Sequence, residues 1–247
     1  MVIAEETIDL PVEGGRMRTL VVRPRVAGRF PGLVAYSDIF QLTASTRRWL
    51  ARFAGHGYVV AAPEIYHRIE PPGAAFAFDD AGRERGGADA AKTSVASWDS
   101  DLKFLLAMLN ARADVAPGKL GAIGTCTGGH IAFRAAFDPG IKATACFYPT
   151  GIEDGKLGSE PDAGSLARAR EIRGELLLVF GAQDPHVPAE GRATIDAALE
   201  QAGVRVTTRL FEAEHAFMRD EGPRYDPAAT DAAISAALEL FAKNLNP

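Results

Sequence analysis

Leu120–Phe133, LGAIGTCTGGHIAF, is the stretch on which the fold turns. An apolar run ends at Ile123, and Gly124-Thr125-Cys126-Thr127-Gly128 opens a segment of helical composition. This is the G-x-S-x-G strand-turn-helix pattern with cysteine in the serine position. The central residue of such a turn sits on strained backbone. Strand and helix approach so closely there that the residues two away on either side must be small. The turn lifts the Cys126 sulfur clear of the sheet and aims the positive end of the helix, with the Thr127 N–H, at whatever binds there. Free cysteine is also among the most buried residue types. The motif alone therefore leaves a structural thiol in a glycine-rich turn equally open.

Working outward, short runs rich in Val, Ile and Leu alternate with longer Ala-rich stretches of helical period. That alternation predicts one α/β domain over residues 1–247, a mostly parallel sheet flanked by helices on both faces. Strands are predicted at Thr7–Leu10, Thr19–Arg23, Gly32–Tyr36, Tyr58–Ala62, Lys119–Ile123, Ala143–Phe147, Glu175–Phe180 and Val204–Phe211, the first two as an antiparallel edge. Helices are predicted at Ser45–Gly55, Trp98–Arg112, Cys126–Phe137, Pro188–Ala202 and Pro227–Leu245. In the second of these, Leu102, Leu105, Leu106 and Leu109 recur at steps of three and four. Residues 70–92, rich in Gly, Ala, Asp and Arg, read as a loop excursion near the active site, since long structureless segments in compact domains are often lids or binding loops. A mobile surface excursion fits the same composition.

Partners for the cysteine stand in the required chain order. Where such a turn carries a nucleophile, the acid follows and then the histidine, each beyond the C-terminal end of a strand. The strand ending at Phe180 runs into Gly181-Ala182-Gln183-Asp184-Pro185-His186-Val187-Pro188, which puts Asp184 in a strand-end loop. The next strand leads to Glu212-Ala213-Glu214-His215-Ala216-Phe217 and puts His215 in the following one. His56 and His67 come too early in the chain. His130 lies one turn into the helix after Cys126, where packing is expected, and His186 reads as a pocket-rim residue. Asp138 and Asp154 do not follow the penultimate strand.

Composition narrows the field further. Hydrophobic residues at 47% and charged residues at 24% are ordinary for a globular chain. Against 32 acidic residues stand 27 basic ones, a net charge of −5 with no long run of one sign. No concentrated basic face of the kind nucleic acid requires is expected. Two cysteines, Cys126 and Cys146, are too few for a disulfide framework. Met1 to Leu10 carries Glu5, Glu6 and Asp9 and does not read as a signal peptide. No apolar stretch nears the roughly 20 residues of a membrane span. A cytoplasmic protein with no membrane or nucleic-acid partner is the expectation, as a monomer or small homo-oligomer. No Cys/His metal spacing is present, and Gly124-x-x-x-Gly128-Gly129 matches neither the dinucleotide fingerprint nor the P-loop. No metal and no cofactor are expected.

The same residues carry a resemblance. The chain resembles the dienelactone hydrolase (carboxymethylenebutenolidase) family of the α/β-hydrolase fold over nearly its whole length. The likeness runs through Asp38-Ile39-Phe40, Pro63-Glu64-Ile65-Tyr66, the cysteine turn, Gly181-x-x-Asp184-x-x-Val187-Pro188 and His215-Ala216-Phe217. It implies a Cys126–His215–Asp184 triad and an oxyanion hole made by the backbone N–H groups of Ile39 and Thr127. It also implies a substrate carboxylate bound by Arg219 and Arg83. Arg219 matches by its place four residues past His215. Arg83 matches by its spacing between Pro-x-x-Tyr and the helix of Leu102. Three positions depart from the family pattern. Asp38 stands where the family usually has a glutamate that gates the thiol, Thr125 where it has an aromatic residue, and Gly86 and Gly87 where a pocket tyrosine lies. All three bear on the substrate side.

The expected activity is therefore hydrolysis of a small ester or lactone, with a carboxylated substrate as the family's variant. His215 would draw the proton from Cys126 or stabilise its thiolate, and Asp184 would orient the imidazole. A thioesterase or other acyl hydrolase would use the same triad. A silent binding relative would be expected to lose it, and a dehalogenase on this fold would want a carboxylate in place of Cys126.

Overall fold

The computed structural model describes residues 1–245. Eight strands form one sheet: β1 (Ile3–Val12), β2 (Gly15–Pro24), β3 (Phe30–Tyr36), β4 (Val59–Pro63), β5 (Val115–Thr125), β6 (Ile141–Phe147), β7 (Glu175–Gly181) and β8 (Arg205–Phe211). Their spatial order is β1-β2-β4-β3-β5-β6-β7-β8. β1 and β2 form an antiparallel hairpin, β2 meets β4 antiparallel, and every later pairing is parallel.

The central strands are apolar on both faces because both faces are covered. In β3, Leu33 and Ala35 face one core while Val34 and Tyr36 face the other. In β4, Val60 and Ala62 alternate with Val59 and Ala61 in the same way. The first face is closed by α1 (Ala44–Gly55), through Trp49, Leu50 and Phe53, and by α6 (Pro227–Leu245), through Ile234 and Phe241. The second face is closed by α3 (Val95–Ala111), α4 (Thr127–Ala135) and α5 (Ala189–Ala202). Each buried Leu, Ile or Phe side chain contributes about 1.5–3 kcal/mol relative to exposure, so the two layers hold the sheet. No helix of the described residues is long and apolar enough to cross a membrane.

The predicted elements are all present: eight of the thirteen are longer than expected, by one to six residues, and those expected at Cys126–Phe137, Pro188–Ala202 and Val204–Phe211 are shorter. Residues 70–92 differ: the expected loop contains α2 (Asp80–Lys92). Asp79 caps it by accepting the Gly82 N–H at 2.8 Å, and Asp80 sits in the first turn, where the helix dipole favours a negative charge. Its inward face is Gly82, Gly86 and Asp89, so it lacks the apolar stripe by which a helix is recognised. A six-residue 3-10 helix, Leu166–Glu171, was likewise unmarked by periodicity.

Candidate active site

β3, β5, β7 and β8 all end at one edge of the sheet, where open parallel sheets carry their binding crevices. Cys126 follows β5 directly. Its backbone (φ 55°, ψ −125°) lies where side chains are seldom tolerated, at a cost on the order of 1–3 kcal/mol. Two glycines make the turn possible. A Cβ at Gly124 would stand 2.0 Å from the Gly128 carbonyl oxygen, and one at Gly128 would stand 2.2 Å from that of Ser37. The Cys126 N–H donates to the Phe147 carbonyl at 3.0 Å, which ties the turn to β6.

Asp184, in the loop after β7, has a fully buried side chain. Its Oδ2 lies 2.6 Å from Nδ1 of His215, and its Oδ1 accepts the His186 N–H at 2.8 Å. With Nδ1 engaged, Nε2 of His215 is the nitrogen left for Cys126. Burial works against a charged imidazole, but the Cys126 charge and the Asp184 hydrogen bond and charge outweigh it and raise His215 to about 9. The reverse holds at the sulfur. Burial and the Asp38 charge push the thiol up, while the His215 charge brings it below the ordinary thiol value, helped by the Thr127 N–H. Both shifts favour a thiolate–imidazolium pair.

A cleft of about 510 Å³ opens over these groups, within the range of small-molecule sites. Cys126, His215, Ile39 and Thr127 all line it. The Ile39 N–H has no protein acceptor among the described residues. The expected substrate-side residues divide. Arg219 lines the cleft but is engaged: its Nη2 donates to Asp38 Oδ2 at 2.7 Å, and its guanidinium lies over the rings of Phe40 (4.6 Å) and Phe78 (4.4 Å). The other oxygen of Asp38 accepts the Phe40 N–H at 2.9 Å. The carboxylate is thus held on Arg219 and the loop, and no hydrogen bond joins it to the thiol. Arg83 reaches the rim of the cleft as a mostly exposed side chain paired with exposed Asp80 at 3.0 Å.

The other histidines separate clearly. His186 lines the cleft with its ring 4.6 Å from that of His215. His130 is fully buried, with Nδ1 3.0 Å from the Thr150 carbonyl oxygen and Nε2 2.7 Å from Ser165 Oγ. Burial pushes it down to about 3, so a neutral ring donates to Thr150 and accepts from Ser165. It is a polar anchor, where sequence suggested simple packing. His67 is paired with Asp101 at 3.0 Å and does not line the cleft.

Sequence reasoning passed over Tyr148 and Thr150. The Tyr148 ring meets His215 edge-on at 5.1 Å, and Thr150 Oγ1 lies 4.0 Å from the Cys126 sulfur. Both follow β6, the strand between those that lead to Cys126 and Asp184, and that position was the available signal. Among the described residues no cluster of three or more His, Cys, Asp or Glu side chains has the arrangement of a metal site.

Comparison with known proteins agrees with this architecture. The model of the dienelactone hydrolase family matches residues 17–245. A Saccharomyces cerevisiae protein provisionally named carboxymethylenebutenolidase is 36% identical over 256 residues, covering 99% of this chain and 93% of its own. The carboxymethylenebutenolidase of a Pseudomonas species is 28% identical, covering 98% and 96%. The crystal structure of a Klebsiella pneumoniae protein, provisionally described as a dienelactone hydrolase, superposes with a TM-score of 0.87 at 25% identity, covering 98% and 100%.

Proposed function

The chain belongs to the dienelactone hydrolase family, and from that premise we propose that it hydrolyses a small ester or lactone through a thioester formed on Cys126. What supports this most is the buried Asp184–His215 hydrogen bond of 2.6 Å beside a sulfur held on a strained turn over the cleft. The Cys126 thiolate attacks the carbonyl carbon, and the carbonyl π electrons move onto oxygen. The Ile39 and Thr127 N–H groups receive that oxyanion, each worth roughly 3–4 kcal/mol by comparison with other oxyanion donors. Collapse expels the alkoxide or enolate, which takes the proton from His215 Nε2. Water then gives its proton to the neutral imidazole and attacks the thioester carbonyl. Collapse of the second intermediate returns the thiolate and releases the acid. Asp184 keeps Nδ1 protonated and the ring oriented throughout.

A panel of p-nitrophenyl esters, dienelactones, acyl thioesters and peptides tests the class. Turnover of esters or lactones, with loss of activity on alkylation of Cys126, is the expected result. Turnover confined to peptides, or undiminished activity after alkylation, sinks it.

Recognition of a carboxylated substrate by Arg219 and Arg83 makes a separate prediction. A matched pair, a carboxylated ester and its neutral methyl ester, is compared by kcat/KM in wild type, Arg83→Ala and Arg219→Ala. Charge-assisted hydrogen bonds imply an extra loss of about 1.5–3 kcal/mol on the charged member for each arginine that binds it. Arg219→Ala also leaves the Asp38 carboxylate unpaired, which by itself repels the charged ester, so its charged-to-neutral ratio is compared with that of Arg219→Ala combined with Asp38→Asn, where that repulsion is absent. Equal losses on both members would mean that the arginines recognise no carboxylate.

A further inference from the structure

α2 approaches the cleft from outside the sheet, and its inward face carries almost no side chain. One contact on that face reaches the site. A Cβ at Gly86 would lie 2.3 Å from the Ile39 carbonyl oxygen, 3.0 Å from the carbonyl carbon and 3.1 Å from Ile39 Cβ. A Cβ at the next residue, Gly87, would have no atom within 4 Å. A methyl group at Gly86 therefore requires either Ile39 or α2 to move.

Ile39 has little freedom to move alone, because its neighbours are tied on both sides. Asp38 holds the Phe40 N–H with its side chain at 2.9 Å and the Gln41 N–H with its carbonyl at 3.1 Å. The Phe76 N–H donates to the Phe40 carbonyl at 3.1 Å, and the Gln41 side-chain amide donates to the Ala74 carbonyl at 3.0 Å. At the far end of the same face, Asp89 is buried beside Glu70. Arg85 Nε donates to Glu70 at 2.8 Å. The helix is thus tied to Glu70 through Arg85 and rests on Ile39 through bare backbone.

We propose that Gly86 is a positioning residue for the reaction: its missing side chain lets α2 seat on Ile39 and hold the Ile39 N–H where the oxyanion forms. This rests on the reading of Ile39 as an oxyanion donor. A displaced N–H weakens the transition state, in which the negative oxygen develops, far more than the bound ester, whose carbonyl is neutral. The groups that favour the thiolate, His215 with Asp184 behind it and the Thr127 N–H, lie on other elements.

The test separates the two. Alkylation of Cys126 by iodoacetamide displaces iodide at a saturated carbon and builds no oxyanion, so its rate reads the thiolate alone. Gly86→Ala is expected to lower kcat on a p-nitrophenyl ester by about 10-fold or more, a fraction of what outright loss of a donor costs. KM should move much less, and the alkylation rate should stay at the wild-type value. Gly87→Ala, with the same gain in helix propensity, should leave all three unchanged. If Gly86→Ala does not fold, Arg85→Ala, which cuts the tie to Glu70 and the Phe76 ring, loosens the same helix without adding an atom near Ile39, and kcat should again fall at constant alkylation rate. Wild-type kcat in the variant that folds overturns the proposal, as does a parallel fall in kcat and alkylation. Failure of the underlying reading looks different: wild-type protein alkylated at Cys126 would still turn over ester, and reading and proposal would fall together.

Discussion

Alanine at position 126 is expected to lower kcat by about 10⁴-fold or more, leaving only what binding and the oxyanion donors can do with water. The fold should survive. Alanine meets the same backbone strain at φ 55° as cysteine does, and the lost sulfur faces a cleft, so no void opens in the core. Thermal unfolding should shift by no more than a few degrees, as for substitutions outside the core. Labelling provides the companion measurement. Iodoacetamide should modify Cys126 far faster than Cys146, which is fully buried in β6 and whose thiol burial pushes well up. Undiminished ester hydrolysis in Cys126→Ala would exclude the cysteine mechanism.

Removing the imidazole should be nearly as damaging, and its signature lies in the pH profile. In the wild type His215 is raised to about 9 and the Cys126 thiol is lowered. As pH falls the sulfur gains its proton only below the ordinary thiol range, and as pH rises His215 loses its proton near 9. Alkylation should therefore stay fast below the pKa of about 8.5 of an unperturbed thiol. Turnover should decline as pH rises through about 9, when no proton remains for the leaving group. His215→Ala deletes the positive neighbour but leaves the burial, so the alkylation midpoint should move upward. The kcat of that variant should fall by about 10³–10⁴-fold, and that of Asp184→Asn somewhat less. An unmoved alkylation profile in His215→Ala, or a His186→Ala variant equally inactive, would reopen the choice of base.

What the sequence made legible follows from how each feature is encoded. The strands are written in Val, Ile and Leu runs because both sheet faces are buried. The cysteine turn is written in glycines because nothing larger fits between Gly128 and the Ser37 carbonyl. That Asp184 and His215 would meet could be read because topology brings the strand-end loops of a parallel sheet to one edge. α2 was hidden because its inner face is glycine and aspartate, and periodicity reads only apolar stripes. The Asp38–Arg219 pair was hidden for another reason. Its members are 181 positions apart, and no local pattern announces that one will occupy the other. His130 looked like a packing residue because helix position says nothing of Thr150 and Ser165, which its two nitrogens meet across the fold.

The strand that leads to His215 is also an edge of the sheet, as β1 is on the other side. Among the described residues β8 pairs only with β7, and its residues Arg205, Thr208, Arg209 and Leu210 are exposed. Edge elements of this kind open locally at a lower free energy than the interior of a sheet. Each such opening carries the imidazole away from the sulfur and returns Cys126 to the weakly acidic state of a buried thiol. The chemistry is therefore less durable than the fold. On warming, nucleophilicity should fade while the far-ultraviolet signal of the central sheet is still intact, and amide protons of β8 should exchange before those of β3 and β5.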